Sequence, residues 1–62
     1  MIPNHLRRHR NAAGLSLAAL GARIGLRRQH VHRYETGEVR PRYERMQAIA
    51  AILGVGVGEI WP

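Results

Sequence analysis

The stretch from Leu15 to Pro41, LSLAALGARIGLRRQHVHRYETGEVRP, decides how this chain is read. Ser16 is a helix-capping residue, and Leu17, Leu20 and Ile24 recur at helical spacing. Gly25 can take the left-handed conformation that ends a helix, so a helix is predicted over about 17–24. After a three-residue turn a second helix is predicted over about 28–36, with Val31 and Tyr34 on one side and Gly37 as its stop. At about 100° per residue, with Arg28 at zero, His32 falls near 40°, Gln29 near 100° and Arg33 near 140°, whereas Tyr34 and Val31 fall near 240° and 300°. Polar and apolar residues therefore take opposite sides. A charged solvent face on an ordinary surface helix is the plain alternative. Arg with Gln and no acidic residue on that arc argues for more, because Arg to guanine and Gln to adenine are the two standard bidentate contacts in a DNA major groove.

Outward from this stretch, Pro3 and Asn4 mark a helix start and Gly14 a stop, which predicts a first helix over about 4–13. Pro41 opens the pattern RYERMQAIAAIL, in which Met46, Ile49, Ala50 and Leu53 share one face and Gly54 closes a helix over about 42–53. The tail VGVGEIWP suggests one further turn around 57–61, weakened by Gly54, Gly56 and Gly58. Strand patterns and internal repeats are absent from the sequence. Five short helices with short connections make an all-α cluster. The expectation is one domain over residues 1–62, with a helix-turn-helix at about 16–36.

A chain of 62 residues buries only about 60% of the surface its unfolded form exposes, so its core is modest. Cysteine is absent, which removes disulfides and thiolate metal sites and suits a reducing cytosol. No segment approaches the ~20 apolar residues of a membrane span, and MIPNHLRRHR at the N-terminus lacks the apolar run of a secretory signal. The expected location is cytoplasmic, on the nucleoid when DNA is bound, with no membrane partner. All ten basic residues are Arg, against four Glu, for a formal net charge of +6. Such an imbalance is the electrostatic footprint of a nucleic-acid binder. Codon bias accounts for Arg in place of Lys but not for the excess over Glu. A membrane-surface role fits less well, since the arginines spread over several predicted helices instead of one amphipathic face.

The ordered set Arg10, Gly14-Leu15-Ser16, Leu20, Ile24-Gly25, Val31, Glu35, Gly37, Arg40-Pro41, Ile49-Ala50 and Leu53-Gly54-Val55 resembles the helix-turn-helix domain of the phage Cro/repressor family, widespread in bacteria as the XRE-type regulators. The resemblance covers nearly the whole chain, and its specificity lies in order and spacing. It implies a compact five-helix, lambda-repressor-like all-α domain whose third helix enters the major groove, usually as a dimer on a two-fold-related operator. Carried over by position, base-reading roles fall on Arg28, Gln29 and Arg33, with His30 and His32 flanking them. Backbone-contact roles fall on Thr36, Arg40 and Arg42. Arg10 and Glu35 take the places of a structural ion pair that holds helix 1 against the recognition helix. Three residues depart from the family pattern. Leu17 stands where a Gln usually caps helix 2 and touches phosphate, Gly21 stands for Ala, and Arg27 replaces a Ser or Thr cap while adding a phosphate-seeking charge.

Other chemistry finds little support in the residues. His5 and His9 could share a helix face, but a structural zinc needs four ligands and solvated histidines are the simpler reading. His30 and His32 lie about 200° apart and cannot easily chelate one ion, so no metal site is expected. The chain has neither Asp nor Cys, and no nucleophile-base-acid set or glycine-rich phosphate loop can be assembled, so neither an enzyme nor a cofactor is expected. Tyr34 and Tyr43 are both expected to pack in or against the core. Trp61 fits either the core or a dimer patch, and Val55, Val57, Ile60 and Trp61 together are the expected two-fold surface. The combined expectation is a sequence-specific, double-stranded-DNA-binding transcriptional regulator, homodimeric at least on DNA, with no small-molecule ligand. One rival is a protein-interaction module, antitoxin-like or accessory, that keeps the fold and binds DNA weakly. The other is RNA binding, against which the lack of exposed aromatic platforms counts.

Overall fold

Four of the five helices end at a glycine in the left-handed region. Gly14, Gly25, Gly37 and Gly54 have φ between 71° and 79°, so each chain reversal predicted at a glycine is made there. The structure, a computed structural model, describes residues 4–62; Pro3, expected in the first helical turn, lies outside the described residues. Helix α1 spans Leu6–Ala12, α2 Leu17–Arg23, α3 Arg28–Thr36, α4 Tyr43–Leu53 and α5 Val57–Ile60. No strand occurs among the described residues. The fold is all-helical and nearly isometric, with extents of 23 × 22 × 20 Å.

Local chemistry accounts for where the helices begin. Ser16 is extended and its hydroxyl accepts from the Ala19 N–H at 3.0 Å, capping α2. Asn4 does two things at once: its Oδ1 accepts from the Leu6 N–H at 3.0 Å, and its Nδ2 donates to the Tyr34 carbonyl at 2.7 Å. The start of α1 is thereby tied to the last turn of α3. Helices α3 and α4 begin at Arg27 and Arg42, both extended, and neither side chain caps its helix. The weak tail helix forms because Glu59 Oε2 accepts from the Gly56 N–H at 2.6 Å, which closes the first turn of α5 despite its glycines.

The core consists of Leu6, Leu20, Val31, Tyr34, Met46, Ile49, Ala50, Ile60 and Trp61. Each helix contributes its apolar stripe to it, and the inward residues of α3 and α4 are those that helical periodicity assigns to that side. Helices α2 and α3 pack more extensively than any other pair. The turn between them is unusually tight. The Leu26 N–H donates to the Gly21 carbonyl at 2.8 Å, and a Cβ placed on Gly21 would sit 2.5 Å from the Leu26 carbonyl oxygen.

Three expectations are corrected by this packing. Ile60 and Trp61 are not surface residues: Trp61 is 7% exposed and Ile60 is fully buried, while Val55 and Val57 are half-buried against the same core. The C-terminal apolar residues are consumed within one chain, because the His5 N–H donates to the Ile60 carbonyl at 2.8 Å and draws α5 under α1. Tyr43 is not packed; it is 63% exposed, since the first residue of α4 overhangs the end of the core that Met46 and Ile49 enter. His9 is not simply solvated, for it is half-buried and its Nε2 is enclosed without a hydrogen-bond partner.

Candidate nucleic-acid interface

Burial of Val31 and Tyr34 fixes the rotation of α3 about its axis. The same rotation turns Arg28, Gln29, His30, His32 and Arg33 outward, and all five are exposed. Arg28, Gln29, His32 and Arg33 converge on one groove of about 310 Å³, whose remaining walls are Leu17 from the start of α2 and Glu38 from the loop after α3. Arg40 and Arg42 are exposed on the loop that follows and line a neighbouring hollow of about 450 Å³ together with Arg45. Arg27 and His30 are exposed at the N-terminal end of α3 and line neither depression. Beyond Arg27, the exposed arginines of this segment thus divide between a groove on α3, where Glu38 also lies, and a flank on the α3–α4 loop, where Glu44 lies beside Arg45.

That loop is folded back onto the last turn of α3. The Thr36 hydroxyl donates to the Arg33 carbonyl at 3.1 Å and accepts from the Glu38 N–H at 3.3 Å, while the Val39 N–H donates to the Arg33 carbonyl at 3.3 Å. The single hydroxyl proton of Thr36 is therefore engaged inside the protein. The same turn sets Glu38 beside the exposed side of α3, with its Oε2 3.5 Å from Arg33 Nε. Both side chains are more than half exposed, so the pair adds little to stability. Its effect is geometric: the carboxylate sits at Nε of Arg33.

Glu35 lies on the same helix yet does not face solvent. Its carboxylate is 2% exposed and accepts from Arg10 Nε at 2.5 Å and from Arg7 Nε at 3.4 Å. Arg10, itself 11% exposed at the side chain, also donates through Nη1 to the Leu15 carbonyl at 2.7 Å. One guanidinium thus joins α1, the α1–α2 turn and α3. The one acidic residue of α3 is neutralised by this pairing, which leaves the outward face of the helix uniformly basic or neutral.

Arg45, Glu44 and Glu38 line this surface, with the exposed Tyr43 beside them in sequence, and none of the four was assigned to it from sequence. Helical spacing could have found Arg45, three residues after Arg42 and so on the same side of α4. Spacing alone places Tyr43 inward, three before Met46, and only the overhang of the first turn exposes it. Glu38 carries no sequence signal, because its position depends on the loop. Among the described residues no cluster of three His or Glu side chains could hold a metal ion, and no helix is long and apolar enough to cross a membrane.

The sequence profile of a helix-turn-helix domain family matches residues 4–60, nearly the whole chain. The chain belongs to the helix-turn-helix domain family. No curated protein and no solved structure matches it. Within the helix-turn-helix, α2 and α3 are the paired helices and Gly25 makes the turn between them.

Proposed function

We propose that this helix-turn-helix domain is a sequence-specific, double-stranded-DNA-binding transcriptional regulator of the XRE type, acting in the cytoplasm without a catalytic step. The carrying observation is the single groove into which Arg28, Gln29, His32 and Arg33 all project from the exposed side of α3. Arg28 and Arg33 are suited to guanine O6 and N7, and Gln29 to adenine N6 and N7. Arg27, His30, Arg40 and Arg42 flank that groove and serve the phosphates, which set register without reading sequence. Thr36 supports the loop from which Arg40 projects. With nine residues, α3 is about 13 Å long, enough for roughly four base pairs at 3.4 Å each. Two copies on a pseudo-palindrome, about 34 Å apart, supply the information one copy lacks; the surface that joins them is not the buried C-terminus.

Selection of bound sites from a random duplex library tests this reading. The expected product is a short half-site containing guanine and adenine, repeated as a pseudo-palindrome, with affinity falling steeply as salt rises. Recovery of unenriched sequences, or equal affinity for duplex RNA, would contradict it.

A further inference from the structure

Leu17 is out of place on a surface that reads polar edges. It is the first residue of α2, set there by the Ser16 cap, and one side of it packs against the core. The other side forms a wall of the groove lined by Arg28, Gln29, His32, Arg33 and Glu38. Every other described residue that lines it is polar or charged, so Leu17 is the one wholly apolar side chain among the described residues of that groove. In a major groove the 5-methyl group of thymine is the one apolar feature a natural base edge presents. A phosphate or an amino group set against Leu17 would lose its water without gaining a partner, an unfavourable exchange. A methyl group set there gains contact and loses nothing.

We propose that Leu17 is a base-reading residue that accepts the 5-methyl group of a thymine next to the base pair read by Arg28. The inference rests on the reading of α3 as a base-reading helix and adds to it a preference that no hydrogen bond supplies.

The test uses a duplex selected by the protein, with each thymine in turn replaced by deoxyuridine, which removes the methyl and leaves base pairing intact. Wild-type protein is expected to lose about fourfold in affinity at one thymine of each half-site, the equivalent of one methyl-sized group left unburied. It is expected to lose nothing at the others. Leu17→Gln should bind the thymine and deoxyuridine duplexes equally while keeping its dependence on the neighbouring guanine, and Leu17→Met should retain the thymine preference. Replacing that base pair by one with cytosine or with 5-methylcytosine gives a second readout, in which the methylated duplex binds more tightly. Melting of each variant shows that it is folded, and the wild-type deoxyuridine scan stands without any variant. Selected sites without thymine beside the guanine, no loss with deoxyuridine, or the same loss in Leu17→Gln would overturn the proposal. If guanine substitutions are also without effect, base reading by α3 falls with it; if they still weaken binding, only the role of Leu17 does.

Discussion

Glu35 shows how much depends on the setting of one side chain. Its two arginine partners sit 2.5 and 3.4 Å away, but Arg10 is almost enclosed whereas Arg7 is 65% exposed. Loss of a buried charge partner costs about 3 kcal/mol or more, while an exposed pair is worth about 0.5 kcal/mol. Glu35→Gln is therefore expected to lower the melting temperature by more than about 10 °C, and Arg7→Ala to leave it nearly unchanged. Equal melting of Glu35→Gln and wild type would show that the carboxylate is not needed where it is. Gly21 gives a second test with the opposite sign to intuition. Helix propensity favours alanine there by about 1 kcal/mol, yet a Cβ would meet the Leu26 carbonyl oxygen at 2.5 Å, and backbone cannot swing aside as a side chain can. Gly21→Ala should melt at a lower temperature than wild type, and a rise would mean the turn yields.

At the scale of the element, α3 begins without a side-chain cap because Arg27 occupies the capping position with an extended backbone. Serine fits that geometry. Arg27→Ser should gain about 1 kcal/mol of stability from the new cap and lose one phosphate contact. Its DNA affinity should fall by a similar factor on every duplex, with the salt slope reduced by about 1. A loss confined to one sequence would instead make Arg27 a base reader. The limits of α2, α3 and α4 were legible in the sequence to within a residue, because Ser16, the glycine stops and the apolar spacing of Val31, Tyr34, Met46 and Ile49 are local signals. What escaped the sequence depends on distant partners. Asn4 bonds to Tyr34, thirty positions away, Glu38 reaches Arg33 through a loop conformation, and Tyr43 is exposed by the end of the core rather than by its helical phase.

The whole molecule is closed by its C-terminus. Trp61 and Ile60 complete the core beneath α1, and the His5 N–H to Ile60 carbonyl bond joins the two ends of the described chain. Removing residues 55–62 takes two buried side chains from a core of nine, more than a domain of marginal stability can lose. Truncation after Gly54 should abolish cooperative melting in far-UV circular dichroism; a folded truncated chain would mean that α1–α4 suffice. The same closed core holds α3 at the angle that presents Arg28, Gln29 and Arg33 together, and direct readout depends on this presentation. The most direct measurement is the affinity of wild type and Arg28→Ala for the selected duplex and for duplexes altered one base pair at a time. Direct readout predicts that Arg28→Ala loses about 1 to 3 kcal/mol on the selected site and becomes indifferent to one guanine while keeping its other preferences. Equal weakening on every duplex, with no position relaxed, would contradict it.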